Sequence, residues 1–207
     1  MKNTLAKLIL LSTLVINSGC PKPCIQSNLS FIVNSQFNPD NDSIHVGDTI
    51  YLESSFSTQL IDQSTGRIID YSNSKGIGST LAVSSLPIGD SISKDAVFDF
   101  DYISVNGKIY NDRSIPRPDG VQQVSYEETN GDYILKVGLI AKKKGNYILG
   151  IGDGLSNGRK NSNNCEKASF NNTLSNTDQH FYLIKNWYPN VVIGGYGKLR
   201  VYYFKVY

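Results

Sequence analysis

Apolar and polar residues alternate with a period of two along most of this chain, and that alternation limits what the chain can fold into. Tyr133, Leu135, Val137 and Leu139 are spaced two residues apart, so in a strand their side chains share one face. Comparable runs recur between short clusters of residues that favour turns. The sequence therefore predicts an all-β protein, an antiparallel β-sandwich of roughly nine or ten strands with little helix.

Local signals place individual elements. Asn106-Gly107 and Asn130-Gly131 each separate two β runs, and Asn-Gly favours a two-residue type I′ hairpin turn with positive φ. Residues 96–105 are predicted to form one strand. Residues 199–207 are apolar or aromatic on both faces, which is typical of a strand covered on two sides. A helical turn at residues 57–63 is the one helix candidate.

One β-sandwich domain at residues 28–207 is the preferred organisation. The segment 111–121, which contains Pro116 and Pro118, has the composition of a linker. A division into two modules near this segment therefore stays open. The length of the chain suffices for either arrangement.

The first residues have the pattern of a bacterial export signal. Two lysines precede the apolar run Leu8–Ile16, which is too short to span about 30 Å of hydrocarbon and fits a signal-peptide core. Asn17-Ser18-Gly19-Cys20 resembles the lipobox of bacterial lipoproteins, although the family usually has an aliphatic residue in place of Asn17. The resemblance implies that residues 1–19 are removed, that Cys20 carries lipid, and that residues 20–27 form a short tether. An ordinary secretory signal, which leaves Cys20 as a thiol, is the alternative.

A second resemblance concerns the rest of the chain. Gly47-Asp48-Thr49-Ile50 and Lys143-Lys144-Gly145-Asn146-Tyr147 resemble strand entries in Ig-like modules of bacterial envelope proteins. With the lipobox and the terminal aromatic segment Tyr202–Tyr207, they make the chain similar to outer-envelope lipoproteins of Bacteroidota. This implies an Ig-like β-sandwich held at the outer membrane by lipid, and no particular activity. Surface-bound lipoproteins of that group often carry acids after the cysteine, and residues 21–26 have none, which favours the periplasmic side.

The charge of the chain argues against nucleic-acid binding. There are 20 basic and 18 acidic residues, and two of the lysines lie in the predicted signal, so the formal charges of the mature protein cancel. A neutral surface lacks the field that steers polyanions to a binding site.

Cys24 and Cys165 remain if lipid occupies Cys20. An oxidising compartment permits a disulfide between them, which would tie the start of the domain to its last third and favour a single domain. Two free thiols are the alternative. These cysteines and the distant His45 and His180 have no zinc-ligand spacing, and we expect no metal and no other cofactor.

Patterns that indicate catalysis are weak. Serines are abundant, and none can be named as the nucleophile of a triad with His180. Asp99 and Asp101 would share one strand face, which fits a solvent-facing pair better than a glycosidase acid and base. The sequence therefore predicts no catalytic residue. An enzyme with an unfamiliar site is the third hypothesis, and a cleft joining His180 to a distant carboxylate would favour it.

Trp187, Tyr188 and Tyr196 form the most distinctive aromatic stretch. Such a loop at the end of a sandwich can stack on sugar rings or anchor a partner protein, whereas the alternative is that the rings fold back onto the sheet. We expect a membrane-anchored envelope lipoprotein with a non-enzymatic binding or structural role, whose partner is an envelope protein or a glycan. A carbohydrate-binding lipoprotein that uses these three residues is the second hypothesis.

Overall fold

The structure, a computed structural model, describes residues 28–86, 93–110, 121–162, 165–176, 180–189 and 200–207. The predicted signal, the tether with Cys20 and Cys24, and residues 111–120 of the predicted linker lie outside these ranges. Within them the strands are β1 (Asn28–Asn38), β2 (Ser43–Ile44), β3 (Thr49–Ser57), β4 (Gln59–Ile61), β5 (Ile68–Asp70), β6 (Ile77–Ser85), β7 (Lys94–Asp95), β8 (Phe100–Asn106), β9 (Lys108–Tyr110), β10 (Val121–Ser125), β11 (Glu127–Thr129), β12 (Asp132–Ala141), β13 (Gly145–Ile151), β14 (Gly154–Ser156), β15 (Lys167–Leu174) and β16 (Val201–Val206). A 3-10 turn (Val97–Asp99) and the helix α1 (Phe181–Trp187) complete the described elements.

The strands form two facing layers that are joined along their sides. In the first layer β12 has β8 and β11 on one side and β3 on the other, and the sheet continues through β1, β15 and β14. In the second layer β6 lies between β10 and β13, and the sheet continues to β9 on one side and to β16 and β2 on the other. Because β14 pairs with both β15 and β6, it links the two layers. The predicted β-sandwich with little helix is confirmed.

Alternation along the strands gives the sandwich its core. In β1, Phe31, Val33 and Phe37 are at most 2% exposed, while Ile32, Asn34 and Gln36 face outward. The ring of Phe31 lies 5.3 Å from those of Tyr71 and Phe170, centroid to centroid. Removing these large rings from water is the main favourable contribution to folding.

Strands from before and after residues 111–120 pair with each other throughout the sandwich. β3 pairs with β12, β6 with β13 and β1 with β15. Buried side chains from Phe31 to Val206 belong to one hydrophobic cluster. The two halves of the chain therefore share a single core.

Two strand pairings are parallel, which differs from the purely antiparallel sheet that the sequence predicts. β1 runs parallel to β15, with Asn28 opposite Lys167, and β2 runs parallel to β16. Strands that are distant in sequence can pair in either direction because no short turn constrains them. Buried and exposed residues alternate in the same way in parallel and in antiparallel strands.

The Asn130-Gly131 turn has the predicted geometry. Asn130 and Gly131 have φ values of 53° and 86°, and Thr129 lies opposite Asp132. This is a two-residue hairpin with positive φ at both central residues, so the predicted type I′ turn is confirmed.

The hairpin predicted at Asn106-Gly107 is wrong, although Gly107 does have a positive φ of 73°. β8 pairs with β12 in the first layer, whereas β9 pairs with β10 in the second, so the chain crosses between layers at this point. A Cβ atom on Gly107 would lie 2.4 Å from the carbonyl oxygen of Ser125. Glycine is therefore required here by a close approach as well as by backbone conformation.

The helix predicted at residues 57–63 is also wrong. This segment contains β4, which pairs with β5 as a separate hairpin. Leu60 is buried in the core between the exposed Gln59 and Ile61, and burial of alternate residues requires the extended conformation. The helix of the described residues lies instead at Phe181–Trp187.

The strand predicted at residues 96–105 is shorter than expected, whereas the terminal strand agrees with its prediction. Residues 97–99 form a 3-10 turn, in which the Val97 N–H donates to Asp95 Oδ1 at 2.9 Å, so the strand predicted at 96–105 begins only at Phe100. The terminal strand is confirmed as covered on two sides. Its residues Tyr202 and Phe204 enter the main core, and Tyr203 packs in a second cluster beneath α1.

Candidate binding groove

A groove of about 460 Å³ crosses the outer face of the second layer. Gly78 lies on its floor, Tyr110 on one wall and Leu155 on the other. Tyr110 is 48% exposed and Leu155 is 67% exposed. Large apolar side chains with this exposure on both walls of one groove indicate a surface that can receive a ligand.

Strand register brings these residues together from three separate segments. Ser125 of β10 lies opposite Gly78 of β6, and Leu155 of β14 lies opposite Gly78 on its other side. One step along the groove, Tyr110 of β9 lies opposite Gln123 of β10. The floor is open because Gly78 has no side chain, and a Cβ atom there would meet its nearest neighbour, Val124 O, only at 3.8 Å.

Polar side chains line the rest of the groove. The Tyr110 hydroxyl lies 3.4 Å from Ser125 Oγ, and Asp153 is paired with Arg200 at 2.9 Å. The other polar members of the lining are Lys75, Ser79, Thr80, Gln123 and Asn157. An exposed phenol ring beside amide, hydroxyl, ammonium and carboxylate groups can stack on the apolar face of a sugar and hydrogen-bond to its hydroxyls.

The predicted aromatic site is not an exposed platform. Trp187 and Tyr188 are partly buried and pack in the second cluster with Leu86, Ile184 and Tyr203. Tyr196 lies outside the described residues. The two described rings fold back onto the sheet, so a sugar-binding role for them stays a prediction that their packing does not support.

His180 does meet a carboxylate from a distant segment. His180 Nε2 lies 3.4 Å from Asp40 Oδ1, and Nδ1 lies 2.9 Å from the carbonyl oxygen of Tyr203. The ring is 7% exposed and packs on Tyr202 at 4.8 Å. These contacts hold the start of α1 against the loop before β2, which is a structural role. Close by, the hydrogen bond from Tyr182 lowers the pKa of Asp42.

His45, Asp99 and Asp101 do not form a shared site. His45 is exposed and lies 3.6 Å from Asp48. Asp99 accepts a hydrogen bond from the Tyr147 hydroxyl at 3.0 Å, and Asp101 pairs with Lys142 at 3.0 Å. Burial, and then the charge of Asp99, raise the pKa of Tyr147. Asp99 lies in the 3-10 turn, so the predicted common strand face is absent.

The three cysteines are only partly placed. Cys20 and Cys24 lie outside the described residues, so lipidation and the Cys24–Cys165 disulfide stay predictions. Cys165 comes directly before the buried Glu166, whose carboxylate accepts from Arg159 Nε at 3.1 Å and from Arg159 Nη2 at 2.8 Å. This pair fixes the chain beside Cys165.

A second, more polar depression of about 440 Å³ lies on the outer face of the first layer. Its lining includes an ion pair between Lys136 and Glu53 at 2.7 Å. The Glu53 carboxylate also accepts from Gln36 Nε2 at 3.4 Å. Because these polar groups already satisfy one another, the depression is a weaker candidate than the groove at Gly78.

Neither a metal-binding cluster nor a membrane-spanning helix occurs among the described residues. Those residues hold no group of three or more His, Cys, Asp or Glu side chains placed to bind a metal ion. In the same ranges, no helix has both the length and the apolar character needed to span a membrane.

The groove residues were missed in the sequence. Tyr110 and Leu155 carry no motif, and Gly78 is one of many glycines. The groove is created where β6 pairs with β10 and with β14, two strands that are distant from it in the chain, and alternation patterns contain no information on which strands pair.

Comparison with known proteins gives only remote likenesses. No family model matches the sequence, and no curated protein is significantly similar to it. A cohesin module from a Clostridium perfringens family 33 glycoside hydrolase is 16% identical with a TM-score of 0.33, over 69% of this chain and 98% of that module. A chain from a type II cohesin–X-dockerin complex of Acetivibrio cellulolyticus is 10% identical with a TM-score of 0.31, over 69% and 99%. The C-terminal domain of the Streptococcus agalactiae AgI/II polypeptide BspA is 12% identical with a TM-score of 0.28, over 68% and 50%. At these TM-scores the likenesses carry no argument about function.

Proposed function

We propose that this protein is a lipid-anchored binding module of the bacterial envelope and that it holds a glycan in the groove at Gly78. The anchor rests on the lipobox-like segment that ends at Cys20. The binding role rests on one observation, which is that exposed Tyr110 and exposed Leu155 line one groove together with Gly78, which has no side chain. The protein then acts by holding its ligand near the outer membrane and has no catalytic role.

The chemistry of the groove suits a glycan. A sugar ring has an apolar face that stacks on a phenol ring, and hydroxyls that pair with amide and carboxylate groups. Tyr110 supplies the ring, while Gln123 and Asn157 supply amides in the same lining. We therefore assign glycan binding to this groove and not to the Trp187 loop that the sequence suggested.

Filling the floor of the groove tests the proposal. Val at position 78 would place its methyl groups in the groove, and the backbone there leaves room for a Cβ atom. We expect Gly78→Val to weaken binding to envelope oligosaccharides at least tenfold, as measured by calorimetry or on a glycan array. Removal of a strand glycine should leave the protein as stable or more stable by about 0.5–1 kcal/mol.

Gly150→Ala is the matched control. Gly150 is also a strand glycine, outside the groove lining, and a Cβ atom there would meet its nearest atoms at 3.5 and 3.6 Å. It should bind like the parent protein, and Tyr110→Ala should bind like Gly78→Val. If Gly78→Val and the parent bind the same oligosaccharide equally well, the groove is not the site.

The anchor is tested separately. Lipid chains on Cys20 give stable membrane attachment, so Cys20→Ser should move the protein from the membrane fraction to the soluble periplasmic fraction. A Cys20→Ser protein that stays in the membrane with unchanged mass would contradict lipidation.

A segment of an envelope protein is the second candidate ligand. Leu155, at 67% exposure, would contact an apolar side chain as readily as a sugar face. Affinity capture from detergent-solubilised membranes separates the two, because a protein partner would be recovered with the parent and with Gly150→Ala but lost with Gly78→Val.

A further inference from the structure

A pair of isoleucines is exposed on the β4–β5 hairpin. Ile61 and Ile68 lie directly opposite each other in the hairpin register. They are 56% and 70% exposed. Cross-strand neighbours on one face lie side by side, so the two side chains form one apolar patch. The exposed part of the intervening turn carries a single charge, on Arg67.

The hairpin is held in a fixed position. Leu60 and Ile69, on its other face, pack against the main core. The buried Asp62 accepts from the backbone N–H of Ser30 at 3.0 Å, and Gln63 N–H donates to Ser30 O at 2.7 Å. The isoleucine pair is therefore presented by a rigid element beside the first residues of β1.

This end of the domain is the one nearest the predicted anchor. Seven residues separate Cys20 from Asn28, and that stretch spans at most roughly 28 Å when fully extended. β1 is eleven residues long, or roughly 36 Å. An inverted domain would hold Asn28 further from the bilayer than the tether reaches, so the start of β1 faces the membrane.

We infer that the β4–β5 hairpin rests on the bilayer and buries Ile61 and Ile68 in its interface. The inference depends on the lipid anchor of the proposed function. Each isoleucine removed from water strengthens membrane contact by roughly tenfold, and Arg67 can remain at the lipid headgroups while its stem lies in the apolar region. The anchor keeps the protein on the membrane, and the hairpin fixes the orientation of the sandwich on it.

A single tryptophan can report this contact. Trp187 is the only tryptophan of the chain, so Ile68→Trp in a Trp187→Phe background places one indole on the hairpin. The lipidated full-length protein is reconstituted in phosphatidylethanolamine–phosphatidylglycerol vesicles that contain acyl-brominated lipid. We expect an emission maximum shifted to the blue by about ten nanometres or more and clear quenching by the brominated chains.

Phe98→Trp in the same background is the control. Phe98 is 61% exposed and lies at the far end of the sandwich, where Lys142 N–H donates to Asp99 O at 2.9 Å. Its indole should emit as in water and escape quenching. Equal behaviour of the two variants, with lipid present on Cys20 by mass spectrometry, overturns the hairpin contact and leaves the anchor intact. A mass without lipid overturns the anchor and, with it, this inference.

Discussion

The hydroxyl of Tyr126 donates a hydrogen bond to Asn172 Oδ1 at 3.3 Å, in the space between the two layers of the sandwich. The same oxygen accepts from Ser35 Oγ at 3.3 Å, and Asn172 Nδ2 donates to Gly152 O at 2.7 Å. Asn172 is fully buried. Burial raises the pKa of Tyr126, so its hydroxyl keeps its proton. A polar group at this depth is tolerated because its hydrogen bonds are satisfied.

Loss of the Asn172 amide is expected to destabilise the protein by about 2–3 kcal/mol. Asn172→Ala leaves the buried groups on both layers without their partner, and each unpaired buried group is costly. Urea denaturation measures the effect. Asn171→Ala is the control, since the neighbouring amide is only partly buried and donates to Ser30 Oγ at 3.0 Å; it should cost less than about 1 kcal/mol. Equal losses for the two variants would contradict a special role for Asn172.

Asp62 is expected to make the stability of the folded protein depend on pH in the acidic range. Its carboxylate accepts from Ser64 Oγ at 2.5 Å, Ser30 N–H at 3.0 Å and Thr65 Oγ1 at 2.7 Å, and these bonds lower its pKa far below the ordinary 3.8. A depressed pKa in the folded state stabilises the protein above about pH 4, and the contribution is lost as the pH falls toward the folded-state pKa.

Comparison of Asp62→Asn with the parent protein measures that dependence. The variant should be less stable at pH 7, and its stability should fall less between pH 5 and pH 2. Chemical denaturation at several pH values gives the difference between the two curves, which removes the contribution of other acids. Curves that stay parallel over this range would show that Asp62 titrates normally.

The two turn glycines should respond differently to alanine. Gly131 has a positive φ but open space around a Cβ atom, so Gly131→Ala should cost about 1 kcal/mol from backbone strain alone. At Gly107 a Cβ atom would also collide with Ser125 O at 2.4 Å, and we expect Gly107→Ala to cost about 3 kcal/mol. Thermal or urea unfolding of the two variants measures both losses of stability, and their ratio tests whether the chain crosses between layers at Gly107. A smaller loss for Gly107→Ala than for Gly131→Ala would contradict the crossing.

A bond between Cys24 and Cys165 is expected in the exported protein. β1 and β15 run parallel with Asn28 opposite Lys167, so the first residues of the two strands lie side by side. Cys24 comes four residues before Asn28 and Cys165 two before Lys167. Thiol counting under denaturing, non-reducing conditions should find neither thiol reactive, and reduction should release two. Two reactive thiols before reduction would exclude the bond.

Much of the fold could be predicted from the sequence because it depends on local patterns of residues. Alternation at residues 133–139 follows from a strand with one buried face, and Asn130-Gly131 needs only two residues to define its turn. The terminal strand was recognisable because both of its faces are apolar. Each of these features depends on neighbours a few positions away in the chain.

Only the tertiary structure decided which strands pair with each other. Asn106-Gly107 looks like Asn130-Gly131 in sequence, yet it crosses between layers because β8 finds β12 and β9 finds β10. Tyr110 and Leu155 line one groove because β9 and β14 lie on either side of the paired strands β10 and β6. Pairing depends on which exposed hydrogen-bonding edges and apolar faces fit together in space, and residue alternation is the same for every pairing. The sequence therefore determined most of the strands and the faces that they bury, while only the assembled sandwich determined where the groove lies.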